Sequence, residues 1–298
     1  MYKKVLLIIL AILTAYCLIL NTANAQGLSL GIDPPIFQIT AKPPANVSAP
    51  LTIHNLSNQA LDLSIIFKPF IPSDQETGQV SYQNDNKQLP PVQVTLNNEP
   101  ITEVSLAPKQ KRELTLKINI PKDSILSDYY FSIVFLSKNK SAENLNSSQN
   151  IAGIASNVLL SIGPKGPVKG TIQEFSAPLF LEKGPVLFTV RVKNTGDRFI
   201  TPRGQILIKN VFGQTVGKVD LDETNVLSES VRLIPDSQWL EKFILGPYSA
   251  SLTIALSDEG PIFRRSILFL AFPFKYSVGL ILALLIVIYI VRGVRKKV

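Results

Sequence analysis

The chain has 298 residues, 46% of them hydrophobic, and a formal net charge of +8, a length that holds about two domains of ordinary size once membrane segments are set aside. One cysteine, Cys17, and one histidine, His54, exclude a disulfide scaffold, a thiolate nucleophile in the exported part and a cysteine-based metal site. Lys3, Lys4, Lys275, Arg292, Arg295, Lys296 and Lys297 flank two apolar segments and account for seven of the thirty cations; the remaining 23 face 22 acids, so the basic charge gives no reason to expect a nucleic-acid partner.

Residues 1–25 read as a cleaved export signal: Lys3 and Lys4 open it, residues 5–20 form the apolar run, and Ala23 and Ala25 supply the small side chains of a peptidase site. Cys17 is removed with it. From residue 26 the apolar residues recur with period two. Val47, Ala49, Leu51 and Ile53 alternate with polar neighbours up to a turn at 55–59, and the alternation resumes at Leu61, Leu63, Ile65 and Phe67. Leu114 to Ile120 is stopped by Pro121, Tyr129 to Phe135 follows, and a further strand falls within 151–162. Short alternating runs with no helices between them predict an antiparallel sandwich with one buried and one wet face per sheet. The polar stretches 73–88 and 138–150 are read as solvated insertions.

Glycine and proline concentrate at 162–167, which divides an immunoglobulin-like β-sandwich over 26–163 from a second over 167–271. In the second block Val186, Phe188, Val190 and Val192 alternate up to the turn 194–197, and Ile206, Ile208 and the run 248–256 continue the pattern. Residues 51–58 and 190–197 each read as a strand ending in asparagine and a polar turn, the trace of a degenerate repeat. The chain closes with an expected transmembrane helix over 272–291 and a basic cytoplasmic tail over 292–298. Lys275 and Tyr276 are placed at the outer boundary, and Arg292, Arg295, Lys296 and Lys297 hold the tail inside, giving a single-pass type I membrane protein with its ectodomain outside.

No phosphate-binding loop, nucleophile elbow or zinc-protease helix occurs. His54 is expected to face water beside a turn. Asp220, Asp222, Glu223, Asp258 and Glu259 are the densest carboxylates, and none of their spacings matches a calcium loop; solvated strand ends account for them, and a glycan hydrolase would need two of them within about 5–10 Å. Trp239, with Tyr248 nearby, is expected to pack in a core, the sharper alternative being an exposed anchor for a partner. No cofactor, metal, catalytic residue or small-molecule substrate is expected, and the chain is read as not being an enzyme.

These features together resemble the WxL-interacting proteins of Gram-positive cell surfaces. The likeness is carried by Leu30-Gly31-Ile32-Asp33-Pro34-Pro35, by the strand and turn at 53–58, and by residues 106–121. In the second block it is carried by 226–232, by Gly246-Pro247-Tyr248 and by Phe272-Pro273-Phe274-Lys275. Ser228-Glu229-Ser230 departs from the family's turn after Val-Leu. The resemblance implies two β-sandwiches outside the membrane, attachment to cell-wall polymer through the first and binding of surface proteins through the second. The reading is therefore a membrane-anchored adhesion protein, with a membrane-tethered chaperone for assembly of surface structures as its alternative. The chaperone would show an unpaired edge strand.

Overall fold

A computed structural model describes residues 29–73, 76–83, 89–138, 153–164, 166–258 and 260–295. The export signal with Ala23 and Ala25, most of 138–150, Glu259, Lys296 and Lys297 lie outside the described residues, as do the side chains of Tyr276 and Arg295.

Alternation makes the strands. In β3 (Ala45–Asn55) and β9 (Lys111–Ile120), which pair antiparallel, every second side chain turns inward, so Leu51, Ile53, Leu116 and Ile118 are buried while their neighbours meet water. The first sandwich sets the sheet β1 (Leu30–Asp33), β3, β9, β6 (Val92–Leu96), β7 (Glu99–Ile101) over the sheet β2 (Ile36–Ala41), β11 (Gly153–Ile162), β10 (Asp128–Ser137), β4 (Leu61–Pro72), β5 (Val80–Tyr82); β8 (Glu103–Leu106) also pairs with β4. That order is the immunoglobulin arrangement of A-B-E-D against G-F-C. The chain breaks at Pro34 and Pro35, so β1 pairs antiparallel with β3 and β2 crosses to pair parallel with β11.

The second sandwich repeats the plan. One sheet orders β12 (Gly170–Ser176), β15 (Thr189–Asn194) and β18 (Val231–Leu233); the other orders β13 (Phe180–Leu181), β21 (Ile262–Ala271), β20 (Gly246–Ala255), β16 (Arg203–Asn210) and β17 (Thr215–Asp220). A small ribbon of β14 (Val186–Leu187) and β19 (Gln238–Trp239) closes one side. Each sandwich has its own core, around Phe131, Phe135 and Leu160 in the first and Val190, Ile206 and Leu252 in the second. Full burial of each such side chain stabilises by about 1.5–3 kcal/mol, and without disulfides these cores hold the fold.

The repeat is clearest at two fully buried asparagines. Asn55, at the end of β3, donates its amide to the carbonyls of Gln59 at 2.7 Å and Ala107 at 3.0 Å and accepts from Ser57 N at 3.0 Å. Asn194, at the end of β15, donates to Arg198 O at 2.7 Å and Leu227 O at 3.0 Å and accepts from Gly196 N at 2.9 Å. Each side chain closes a turn and ties it to a distant strand-end loop, so that a fully buried amide has its hydrogen-bonding groups satisfied.

After β21, Phe272 and Pro273 lead into helix α1 (Phe274–Arg295), 22 residues and so about 33 Å long. Pro273 sits where its missing N–H costs nothing, and its carbonyl accepts from Ser277 N at 3.1 Å. Counted over the described residues alone, no helix is long and apolar enough to cross a membrane.

Candidate functional site

The loop behind Asn194 reaches into the first sandwich. Arg198 Nη1 donates to Asp128 Oδ1 at 3.0 Å and to Ser161 Oγ at 3.2 Å, and Nη2 donates to Ile162 O at 2.9 Å. Phe199 N donates to the other Asp128 oxygen at 2.6 Å, and Tyr130 Oη donates to that same oxygen at 3.0 Å. The Asp128 side chain is 2% exposed and that of Arg198 14%. A carboxylate this enclosed is tolerated only because a guanidinium, an amide and a phenol all point at it. Burial, then the Asp128 charge, pushes the Tyr130 phenol well above its ordinary value.

Beside this polar knot lies an apolar one. Phe199 packs with Phe70 and Leu159, and Phe70 stacks on Tyr130 with ring centroids 6.1 Å apart. Ser228 N donates to Tyr130 Oη at 3.4 Å, and Leu233 N donates to Glu76 O at 2.9 Å. Arg191 bridges Glu76 of the first sandwich and Glu174 of the second. The two sandwiches therefore meet through a mixed interface with a buried centre.

That interface leaves a cleft of about 200 Å³ on the outer face of the sheet β2-β11-β10-β4, lined by Ile36, Phe70, Asn157 and Leu159 on one side and Leu227 and Arg232 on the other. The Arg232 guanidinium lies directly over Gly78, where any Cβ would overlap it. Its Nε is buried with no hydrogen-bond partner among the described residues, and burial holds its pKa below the ordinary arginine value. The cleft thus offers apolar walls, amide groups and a partly buried cation, a set that suits an extended peptide.

Among the described residues, one strand edge next to the cleft is open. Between Gly153 and Ser161, β11 pairs with β10, but β2 covers its other side only from Asn157 onward. Gly153, Ile154 and Ala155 are paired on one side alone among the described residues, and no charge stands among them, whereas Ser156 is buried with its hydroxyl donating to Pro34 O at 2.6 Å. The corresponding strand of the second sandwich, β21, is also one-sided over most of its length among the described residues, but Arg264 and Arg265 stand exposed along it. Charges of that kind deter strand addition.

The side chains singled out in the sequence fall elsewhere. Trp239 is 8% exposed, with its indole over Gly217 and against the Tyr248 ring at 5.5 Å. It is a core residue, so the anchor alternative fails there; Tyr248 lies half-buried with its hydroxyl at Leu245 N, 3.1 Å away. His54 is half-buried and donates from Nε2 to Lys109 O at 3.2 Å. Glu223 and Asp258, distant in sequence, converge on Arg203 at 2.9 and 2.6 Å, and Asp220 pairs with Lys218 at 2.7 Å. These carboxylates are partners of cations and not of each other, and no group of three or more metal-ligating side chains occurs among the described residues. Lys275 pairs with Glu182 at 2.9 Å, and Arg292 is exposed. The clamp residues Asp128, Arg198 and Phe199 went unmarked in the sequence because each reads as ordinary loop or strand-end chemistry.

No protein-family model and no curated protein matches the sequence. Among solved structures, the chain is similar to a chaperone–tip adhesin complex of CFA/I fimbriae, with 12% identity over 82% of this chain and 98% of the other and a TM-score of 0.40. It is similar to the class 5 fimbriae chaperone CfaA, at 13% identity over 82% of this chain and all of that one, TM-score 0.38. The Escherichia coli chaperone DraB gives 12% identity, 80% and 99% coverage and a TM-score of 0.36. Overlaps of this size carry no argument about what the present chain does.

Proposed function

We propose that the chain is a membrane-tethered, non-enzymatic binding protein on the outer side of the membrane. It holds an extended segment of another surface protein along the open half of β11 and in the adjoining cleft, as an assembly chaperone would. The observation that carries this reading is the contrast between the two edges: among the described residues the 153–155 edge of β11 is unpaired and uncharged beside a cleft of mixed apolar and polar lining, whereas β21 carries exposed Arg264 and Arg265. Backbone pairing to a strand edge supplies affinity, and alternate side chains supply specificity. Tethering through α1 is supported by its character: the described apolar side chains from Val278 to Tyr289 are all exposed, and a helix apolar all round needs a non-aqueous surrounding. The basic tail after it supports a type I orientation, and the resemblance to the WxL-interacting proteins supports the same placement.

The test is photocross-linking of the full chain in its native membranes, with a photoreactive residue at Ala155, at Asn157 or at Asn119 on the opposite sheet. A single protein cross-linked from 155 and 157, not from 119, and competed by a peptide of its own cross-linked segment supports the reading. Absence of such a cross-link, with saturable co-sedimentation of the chain on cell-wall sacculi, would replace it by wall adhesion.

A further inference from the structure

The second sandwich gathers its exposed apolar side chains at one end, and it is the end from which α1 departs. Asn210 pairs with Tyr248, Tyr248 with Phe269, and Gly246 with Ala271, so the hairpin between β16 and β17, the loop entering β20 and the exit of β21 are level with one another. The hairpin tip carries Val211 and Phe212, the latter 83% exposed. The loop before β20 carries Leu240, Leu245 and Phe243, the last 76% exposed. The start of β13 and the residue before it, bound to β21 through Leu270 N and Leu179 O at 2.8 Å, carry Phe180 and Leu179, both 69% exposed. Each tip has a lysine beside it: Lys209, Lys242 and Lys183 are all exposed. Single exposed apolar residues are ordinary, but three tips at one level are not.

We propose that this rim rests in the outer leaflet of the bilayer that α1 enters, so that the second sandwich is held on the membrane surface at three points besides its tether. The proposal depends on the membrane reading of α1. The chain path identifies the occupant: only Phe272 and Pro273 separate β21 from the helix, and Lys275 at its first turn pairs with Glu182 behind β13, so the junction has no slack to lift the rim away. Apolar tips sink about 5–10 Å into the headgroup boundary, and flanking lysines add attraction to anionic lipid. The consequence is a fixed height and tilt for the cleft of the first sandwich above the membrane.

The full chain carrying Cys17→Ser and one added cysteine, Phe212→Cys, Phe243→Cys or the control Leu56→Cys, is labelled with an environment-sensitive dye. It is then reconstituted in phosphatidylethanolamine–phosphatidylglycerol vesicles. The proposal expects the dye at 212 and at 243 to be quenched by a headgroup-proximal spin-labelled lipid and to lose its quenching by aqueous iodide, with the reverse at 56. Iodide quenching at 212 and 243 equal to that at 56, in vesicles that retain the chain through an alkaline wash, overturns the rim and leaves the helix reading standing. A chain that washes off overturns both.

Discussion

Asn55 and Asn194 close the same kind of corner, each holding distant carbonyls with one side-chain amide. The loop behind Asn55 ends in solvent, with Leu56 41% exposed, while the loop behind Asn194 ends inside the other sandwich, with Phe199 3% exposed. A duplicated structural device has thus been put to two uses, and the difference lies in the residues just past the asparagine. At the matching positions of the first corner, Gln59 and Ala60 stay on the surface. Arg198 and Phe199 project from a matching turn into a preformed acceptor, Asp128 and the Phe70–Leu159 surface. The corner supplies rigidity, and two side chains turn that rigidity into a clamp.

The contrast between the corners is broken most sharply at the clamp's centre. Asp128→Ala leaves a largely buried guanidinium, an amide and a phenol without their acceptor, and is expected to lower stability by about 3–5 kcal/mol in urea unfolding of the detergent-solubilised chain. Phe199→Ala is expected to fall in the same range of about 3–5 kcal/mol by leaving a cavity between the sandwiches. Both variants should separate one unfolding transition into two.

The corners themselves come next. Asn55→Ala and Asn194→Ala each remove a fully buried amide together with the hydrogen bonds that hold its corner, and should cost about 1–3 kcal/mol. The expected distinction is where the loss falls: Asn55→Ala weakens the first sandwich alone, whereas Asn194→Ala also frees the amide of Phe199 to exchange with solvent.

A smaller effect is set by pH. The Tyr130 phenol has a raised pKa in the folded chain, so the unfolded chain gives up that proton first. The resulting stabilisation is whole below the unfolded value of about 10 and declines above it, by about 1.4 kcal/mol per pH unit. Alkaline titration of stability should show this decline in the wild type and a shallower one in Tyr130→Phe. The smallest effect is Leu56→Ala, expected to stay within about 0.5 kcal/mol because the side chain packs on nothing across a boundary.

Much of the fold was legible in the sequence, because a half-buried strand writes its two faces into alternate residues: Leu51 and Ile53, Leu61 and Leu63, and Phe131 and Ile133 all point inward as their spacing implies. The asparagine turns were legible as turns. The clamp was not, since Asp128 and Arg198 are brought together by the docking of two sandwiches, which no periodicity records. The same holds for Glu223 and Asp258, which reading along the chain leaves as separate acids and folding gathers onto Arg203. Trp239 was ambiguous because β19 has only two residues, too few for alternation to assign a face. Its exposed neighbours Leu240 and Phe243 are the apolar surface that an aromatic-rich segment of this kind announces.

A cleft of fixed shape requires the two sandwiches to form one body, and the Phe199 amide, which donates across the boundary to Asp128, reports on that directly. Native-state hydrogen exchange of this one amide should match that of core amides such as Val192, opening only with global unfolding. Exchange of Phe199 as fast as that of an exposed loop amide, with Val192 still protected, would mean that the sandwiches hinge freely and that the cleft has no fixed shape.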